Sequence, residues 1–477
     1  MRRKRNSILV FFIFLYLNGM SAEKLPSCNC SKEFEFLQTF IEANYAGFTD
    51  KVNPANRLSY EKHTSNIMQL SKGITESRYC VGLMNKWLEF FRDGHIQIQL
   101  RKLPGADQQK VVSHMAAQTE MIALSDQQLD QLRNAGGIEG VYWSQDSVYK
   151  IALVKNKNAY RNFAGVILSS KNKFWTKGQV KLELKQGVGG TFEGILYDDK
   201  HNPENIAQAG AGNILGGWHP EGESWVIPER RQKDDVLARL LSDSVMYMKI
   251  STFNQRNAKN IDSMIRAKKK LLEKTPYLIL DLRDNGGGSD FSYEPILPYI
   301  NTGPIVNVGT DVYATDSNIK GWSMLLKMQD IPADEQVRIK AILRDMETNK
   351  GKFINIVEDE TTTFERIEDF PKKVAVLINK GCGSTTEEFL LGVKQSSKVV
   401  LMGESTAGVL DYANMRTADF SGIPYTLYYA TTRSRRIAMG LGIDNVGVLP
   451  DVKLDPDVNW VIAAQKYLEG IKNTAAQ

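Results

Sequence analysis

The sequence has few of the residues that usually bind metal ions, since its 477 residues include only four cysteines and five histidines. A structural zinc site normally takes two pairs of cysteine or histidine ligands. Cys28 and Cys30 form one Cys-x-Cys pair, and no second pair lies near them in the sequence. We therefore expect no metal site, and no motif indicates another cofactor.

The chain also lacks a strong excess of charge of one sign. Its formal net charge is +5, from 60 basic and 55 acidic residues, and four of the basic residues are Arg2, Arg3, Lys4 and Arg5. Without these four, 56 basic and 55 acidic residues leave a net charge of +1. A broadly positive surface is excluded, so we expect no nucleic-acid partner.

No apolar run reaches the roughly 20 residues that a membrane-spanning helix needs. The apolar run Ile8–Leu17 follows the basic residues and precedes the mostly small residues 18–22, which is the layout of a secretory signal peptide. We predict a signal peptide at 1–22, export to the periplasm or the extracellular space, and no membrane span in the mature chain. A lipid anchor on Cys28 is the weaker alternative, because that residue lies 11 positions beyond the apolar run.

Export would bring the cysteines into an oxidising compartment, where disulfides form. Residues 80–91 have the apolar spacing of a helix. We expect one of Cys28 and Cys30 to pair with Cys80, which would attach the mature N-terminus to that helix.

The length suggests two to four domains, and the pattern after the signal peptide changes twice. Residues 23–135 are predicted to be mainly helical, because apolar residues recur every three or four positions. Residues 136–235 alternate short strands and turns, which predicts a small antiparallel β domain, either a barrel or a sandwich. Residues 236–477 alternate continuous apolar strands with helices, which predicts an α/β core with an insertion at about 305–365. The predicted fold class is α+β, multidomain.

Two loops that follow apolar strands are suited to chemistry. Asp281–Gly288 ends in three glycines, so a ligand can closely approach its backbone N–H groups, as in an oxyanion hole. Ser384 lies where another strand leads into a helix, whose N-terminus stabilises an anion. On spacing alone, Ser384 and Glu387 are explained as a helix capping box. Cys382 is the alternative nucleophile, although it precedes the helix start.

His95 is the histidine with the clearest local context. It follows the turn Arg92–Gly94 and begins a segment with the alternating pattern of a strand. A lone histidine is more often structural than catalytic, so its position alone does not assign it a role.

Four motifs in chain order resemble those of the tail-specific, or C-terminal-processing, serine peptidases, and most closely the branch that shares its core with tricorn protease. They are LILDLRDNGGG at 278–288, GCGSTTEEF at 381–389, GESTAG at 403–408 and NVGVLPD at 445–451. The resemblance covers about 246–457 together with the helical part that ends at His95. It implies a crotonase/ClpP-like α/β peptidase core. Family members often carry a PDZ domain, and here the small β domain takes its place.

The resemblance also implies which group acts as the base. One style in the family uses a lysine just after the Thr-x-Gly of the third motif, where this sequence has Val409. The tricorn-like style uses a histidine, which His95 matches. In that style a serine precedes the histidine and a glutamate orients it, and Gly94 and Asp444 stand at these two places.

The remaining roles follow from the same resemblance. It implies Ser384 as the nucleophile, and the backbone N–H of Thr385 together with that of Gly287 or Gly288 as the oxyanion hole. We expect an exported serine peptidase that acts on peptides or unfolded protein through an acyl-enzyme. The alternative is a non-catalytic ligand- or peptide-binding protein on the same core. No feature of the sequence predicts an oligomeric state.

Overall fold

The computed structural model describes residues 28–101, 108–132, 137–158, 160–210, 217–225, 236–327, 331 and 333–470. The predicted signal peptide lies outside these ranges. Within them, no helix has both the length and the apolar composition needed to cross a bilayer. The chain is a mixed α/β, multidomain protein with several sheets.

The N-terminal part is helical, as its apolar spacing predicts. Its helices are α1 (Cys30–Asn44), α2 (Phe48–Lys51), α3 (Arg57–Ser71), α4 (Ser77–Leu88), α5 (Gln108–Gln118) and α6 (Asp126–Leu132). The side chain of Asn29 caps α1 by accepting the N–H of Lys32 at 3.2 Å. A disulfide joins Cys30 in α1 to Cys80 in α4, whereas Cys28 is a buried free thiol. The disulfide therefore uses one of the two partners that the sequence left open for Cys80.

These helices share a hydrophobic core with part of a five-stranded sheet, in which most strands come from much later in the chain. The strands are β1 (Gln97–Leu100), β13 (Thr310–Tyr313), β14 (Phe353–Val357), β18 (Tyr412–Asp419) and β19 (Tyr425–Ser434). They form one five-stranded sheet in which β1 pairs with β19, in antiparallel orientation, and with no other strand among the described residues. Phe34, Trp87 and Tyr429 are all buried in this shared core. The helical part is thus joined to the C-terminal part through a single core, which a linear division of the sequence does not reveal.

The predicted β region forms one antiparallel sheet of seven strands. They are β2 (Gly140–Ser144), β3 (Tyr149–Lys155), β4 (Phe163–Ser170), β5 (Val180–Gln186), β6 (Thr191–Tyr197), β7 (Pro203–Gly210) and β8 (Trp218–Pro220). The strand order is β7-β6-β5-β4-β3-β2-β8, so β7 and β8 are the outer strands. A closed barrel or a sandwich was predicted, but in the part of the chain that the structure describes the outer strands do not pair and no second sheet belongs to this region.

A six-stranded sheet forms the centre of the C-terminal region. Its strands, in spatial order, are β20 (Val452–Lys453), β17 (Val399–Gly403), β16 (Lys373–Ile378), β11 (Tyr277–Asp281), β10 (Val245–Ile250) and β9 (Val236–Leu240). All pairs are parallel except that of β9 and β10. Leu278 and Leu280 enter one core and Ile279 enters another, so both faces of β11 are covered. This explains why the strand is continuously apolar.

Helices cover the two faces of that sheet. They are α7 (Ala258–Leu272), α8 (Leu297–Ile300), α11 (Thr385–Val393) and α12 (Trp460–Leu468). The predicted insertion contains β12 (Ile305–Asn307), α9 (Asp316–Ser323), α10 (Ala333–Thr348) and β15 (Glu360–Thr362), in addition to β13 and β14. Its Trp322 is buried and donates its indole N–H to the hydroxyl of Thr431 at 3.1 Å. The insertion thus extends the five-stranded sheet and packs against it.

Candidate active site

The glycine-rich loop and the Ser384 segment form one structural unit. Because β11 and β16 are parallel neighbours, their carboxyl ends lie side by side and both loops leave the sheet at the same edge. The N–H of Gly383 donates to the carbonyl of Asn285 at 3.2 Å. The hydroxyl of Thr386 donates to the Asn285 side chain at 2.9 Å. The two segments that the sequence singled out are therefore in direct contact.

Ser384 has a backbone conformation that capping does not require. It precedes α11 with φ 53° and ψ −124°, whereas an ordinary capping serine has an extended backbone with negative φ. A non-glycine residue held in such a region costs about 1–3 kcal/mol, and residues of this kind concentrate at functional sites. A strained turn between a strand and a helix is also how α/β-hydrolases expose their nucleophilic serine. The conformation therefore favours a chemical role over a purely structural one.

Glu387 connects the Ser384 segment to the third motif. Its side chain is fully buried, and one carboxylate oxygen accepts the N–H groups of Ser384 at 3.1 Å and Val409 at 2.9 Å. The other oxygen accepts the hydroxyl of Thr406 at 2.5 Å and the N–H of Gly408 at 2.6 Å. Four donors thus satisfy a single buried carboxylate. The spacing of the sequence indicated the bond to Ser384 but not the bonds to residues 406–409.

Cys382 is not suited to be the nucleophile. The residue is fully buried, and its Sγ lies 3.0 Å from the carbonyl of Leu282. Burial raises the pKa of its thiol to about 12. Since the thiolate is the reactive form of cysteine, Cys382 is inert at neutral pH.

His95 lies at the entry to β1 with a defined tautomer. Its Nδ1 is 2.5 Å from the backbone carbonyl oxygen of Tyr412, which can only accept a hydrogen bond. Nδ1 therefore carries the proton, and Nε2 keeps a lone pair that can accept one. The His95 side chain is 14% exposed.

Asp93 is the carboxylate that positions the His95 segment. Its side chain is buried, accepts the His95 N–H at 2.8 Å and the Tyr45 hydroxyl at 2.6 Å, and lies 4.0 Å from the His95 Nδ1. The sequence had assigned the orienting role to Asp444, but the structure gives that residue a different partner. Asp444 forms an ion pair with Lys51 from α2. Among the described residues, no hydrogen bond joins Asp444 to His95.

Gly94 and Gly383, which precede His95 and Ser384, both lie next to Val409. The side chains of His95 and Ser384 are not hydrogen-bonded to each other, but the residues before them both contact this valine. A Cβ built on Gly94 would lie 3.1 Å from its Cγ1, and one built on Gly383 would lie 2.9 Å from its Cγ2. Val409 thus occupies the space between the two segments, at the position where the other style in the family has lysine.

Hydrogen bonding of the backbone N–H groups near Ser384 distinguishes Gly287 from Gly288 as the candidate for the oxyanion hole. The N–H of Gly287 donates to the Asn285 side chain at 3.0 Å, so it is already used. The N–H groups of Gly288 and Thr385 have no acceptor among the described residues. The Thr385 hydroxyl donates to the Gly288 carbonyl at 3.2 Å, which holds these two residues together.

Gly287 keeps the space next to the Thr385 N–H open. Its φ is +101°, a conformation that favours glycine. A Cβ at this position would lie 2.9 Å from the Thr385 nitrogen and 3.1 Å from the Ser384 Cβ. The glycine is thus required by the space in front of this N–H as well as by its backbone conformation.

Residues 244–454 match the sequence model of peptidase family S41. The resemblance inferred from the four motifs is therefore confirmed at the level of the family. Ser384, Glu387 and Val409 lie inside the S41 segment, whereas His95 and Asp93 come from the part of the chain that precedes it. Among the described residues, no cluster of side chains could hold a metal ion.

Individual proteins of this kind are similar to the chain over different lengths. The chloroplastic C-terminal processing peptidase of Tetradesmus obliquus is 26% identical over 215 residues, which is 44% of this chain and 35% of that protein. The chain thus matches about a third of that relative. The solved structure of mature CPAF complexed with lactacystin has a TM-score of 0.50 at 13% identity, covering 93% of this chain and 97% of that one. A putative peptidase from Parabacteroides merdae has a TM-score of 0.45 at 14% identity, covering 94% and 100%. The CPAF comparison shows a shared fold.

Proposed function

We propose that the chain is an exported serine peptidase that hydrolyses peptide bonds through an acyl-enzyme, with Ser384 as the nucleophile and His95 as the base. The observation that carries the proposal is the backbone of Ser384, held at φ 53° and ψ −124° close to two N–H groups that have no acceptor in the part of the chain that the structure describes. A helix cap does not need the positive φ, and the two features together suit a nucleophile next to an oxyanion hole.

The chemistry assigned to His95 follows from its tautomer. In the first step the Ser384 Oγ attacks the scissile carbonyl carbon, while the His95 Nε2 takes the hydroxyl proton. The imidazolium then donates that proton to the leaving amine, and an ester to Ser384 remains. Water hydrolyses this ester with His95 again acting as the base. The Tyr412 carbonyl, which accepts from Nδ1, keeps Nε2 available throughout.

The developing negative charge would be held by the N–H groups of Gly288 and Thr385. Donors aimed at a developing oxyanion typically contribute 10²–10³-fold each in rate. The Thr385 N–H also lies at the N-terminus of α11, where the helix dipole favours negative charge. The sequence left Gly287 and Gly288 as alternative donors to the oxyanion. We assign this role to Gly288, because the Gly287 N–H already donates to the Asn285 side chain.

A second candidate function is peptide or ligand binding without hydrolysis. It is favoured by the absence of a hydrogen bond between His95 and Ser384 and by the pairing of Asp444 with Lys51. Hydrogen bonds between catalytic groups are often long before substrate binds, so this arrangement is compatible with catalysis. For catalysis, His95 would approach Ser384 past Val409 when substrate is bound.

A crotonase/ClpP-like arrangement is supported by the parallel strands β10, β11, β16 and β17, with Ser384 at their carboxyl edge. The seven-stranded sheet takes the place of a PDZ domain. Export is supported by the signal-like N-terminal sequence and by the Cys30–Cys80 disulfide, because disulfides persist in oxidising compartments.

The proposal is tested by incubating the full mature chain with reduced, alkylated casein and counting new amino termini. We expect cleavage by the wild type and a loss of at least about 10³-fold in the Ser384→Ala and His95→Ala variants. The matched control is His219→Ala, since His219 lies in β8 of the seven-stranded sheet. Undiminished cleavage by Ser384→Ala would move the nucleophile elsewhere. Binding of casein by the wild type without any new amino termini would favour the second candidate.

A further inference from the structure

A cleft of about 990 Å³ opens beside His95, between two sheets. One wall is β1, and the opposite wall is formed by residues 198–205, where β6 turns into β7. Gly94 and Val409 lie at the end next to the candidate active site. The charged side chains in the lining have both signs, and they are Glu89, Arg92, Asp93, Asp198, Lys200 and Glu204. The cleft therefore borders residues on both sides of His95 in the sequence, and its mixed charge does not select for a strongly charged ligand.

The backbone of β1 has unpaired hydrogen-bonding groups that face this cleft. The Arg101 N–H donates to the Pro424 carbonyl at 2.9 Å, which marks residues 101 and 424 as a hydrogen-bonded pair. Because such pairs alternate in antiparallel strands, Gln97 and Gln99 also bond to β19. Ile98 and Leu100 must then direct their N–H and C=O groups to the outer edge. These groups have no hydrogen-bond partner among the described residues.

The opposite wall does not supply the missing partners. The Asp198 N–H donates to the Asn202 carbonyl at 2.9 Å, so by the same alternation the outward residues of β7 next to the cleft are Pro203 and Asn205. Proline has no N–H, and a proline on an edge strand prevents pairing with a neighbour. The Asn205 side chain is bonded to Glu89 at 3.3 Å. Pro203 thus interrupts the outward donors of β7, whereas β1 offers two successive outward residues that each have an N–H and a C=O.

We propose that β1 is a docking strand, and that an extended peptide segment of the substrate adds to the five-stranded sheet at the backbone groups of Ile98 and Leu100. This inference rests on the proposed function. An exposed sheet edge is a ready template for an added strand, and main-chain hydrogen bonds then supply much of the affinity. Since β1 begins two residues after His95, a segment paired with it is led directly to the base. Recognition through the backbone also suits a protein that accepts unfolded segments of varied sequence.

The proposal is tested by hydrogen–deuterium exchange at single-residue resolution on the full-length Ser384→Ala variant, which binds without turnover. The probe is reduced, alkylated casein at its highest soluble concentration. We expect the amides of Ile98 and Leu100 to exchange at least about tenfold more slowly in the presence of casein than in its absence. The amides of Gln97 and Gln99 serve as internal controls, because they already bond to β19 and should not change.

A variant provides an independent measurement. Ile98→Pro removes an outward N–H without removing a ladder bond to β19, and Ile98→Val is the matched control. We expect casein cleavage by Ile98→Pro to fall about tenfold or more, while the rate at which a small fluorophosphonate labels Ser384 changes less than about threefold. Normal labelling also reports that the variant has folded.

The outcomes separate this inference from the proposed function. If the wild type cleaves casein but the probe leaves the exchange of Ile98 and Leu100 unchanged, the docking strand is refuted and the peptidase stands. If the probe protects these two amides but the wild type produces no new amino termini, docking stands and hydrolysis is refuted. Protection confined to another sheet edge would also overturn the docking proposal.

Discussion

Replacing Glu387 with glutamine tests whether its buried carboxylate holds the candidate nucleophile segment in place. The carboxylate accepts four hydrogen bonds, two at each oxygen, from Ser384, Val409, Thr406 and Gly408. Glutamine keeps the shape but replaces one acceptor oxygen with an NH₂ group that cannot accept. Wherever that NH₂ points, it faces donors, and at least one backbone N–H loses its partner.

The cost can be estimated from the arrangement with the smallest loss. If the NH₂ faces Thr406 and Gly408, the hydroxyl can reverse its role, but the Gly408 N–H remains buried and unpaired, which costs about 2 kcal/mol. The two bonds that remain, from Ser384 and Val409, lose the assistance of a charged acceptor, at about 1 kcal/mol each. The total is about 4 kcal/mol. For a cooperative unit of about 150–250 residues, a loss of about 4 kcal/mol lowers the melting temperature by about 8–16 °C.

The assay is differential scanning calorimetry of Glu387→Gln, with Glu388→Gln as the matched control. Burial, together with the nearby Asp290 carboxylate, raises the pKa of Glu388 from 4.5 to about 7. The native state therefore holds a proton on Glu388 between about pH 5 and 7 that the unfolded state has lost, so the contribution of Glu388 to stability falls as pH rises through this range. Glu388→Gln should melt like the wild type at pH 5 and at a higher temperature at pH 8.

Two results would contradict the reasoning about Glu387. One is a melting temperature for Glu387→Gln within about 2 °C of the wild type, because this corresponds to less than about 1 kcal/mol. The other is an equal shift of the melting temperature in Glu387→Gln and Glu388→Gln at pH 8, because it would show that the four hydrogen bonds accepted by Glu387 have no special importance.

Three further changes have defined expectations. Gly287→Ala should slow fluorophosphonate labelling at least about 100-fold because its Cβ would lie 2.9 Å from the Thr385 nitrogen, whereas Gly286→Ala, with no atom within 4 Å of its Cβ, should label normally. Ser384→Gly should have a free energy of unfolding about 1 kcal/mol higher than that of Ser384→Ala, because both variants lose the capping hydroxyl and only glycine relieves the positive φ; equal values in urea unfolding would argue against strain. Replacing both Cys30 and Cys80 with alanine should lower the free energy of unfolding by about 4 kcal/mol, since the disulfide closes a loop with a sequence separation of 50. An unchanged midpoint of urea unfolding would contradict this.

The sequence predicts the local elements of the C-terminal core well. The apolar run Val245–Ile250 coincides with β10, and Tyr277–Leu282 coincides with β11 to within one residue. Both runs are buried on two sides, so hydrophobicity alone marks their bounds. Ser384 was also placed at a junction between a strand and a helix, because glycines and a capping pattern mark that point.

The sequence does not predict the contacts that join distant segments. The pairing of β1 with β19 connects residues more than 300 positions apart, and no local pattern encodes it. Lys51 pairs with Asp444 for the same reason, which is why the orienting role was given to Asp444 and not to Asp93. The single sheet at 140–220 was predicted as a barrel or a sandwich, because the strand pattern fixes how residues alternate but not whether the outer strands meet.

The central claim is that Ser384 is a nucleophile activated by His95, and mapping the site of a covalent adduct tests it most directly. The folded wild type is treated with a fluorophosphonate and digested, and the modified peptide is sequenced by tandem mass spectrometry. We predict a single adduct on Ser384, formed at least about 10³-fold more slowly in His95→Ala. An unmodified Ser384 in folded protein, or an adduct that forms equally fast without His95, would contradict the account.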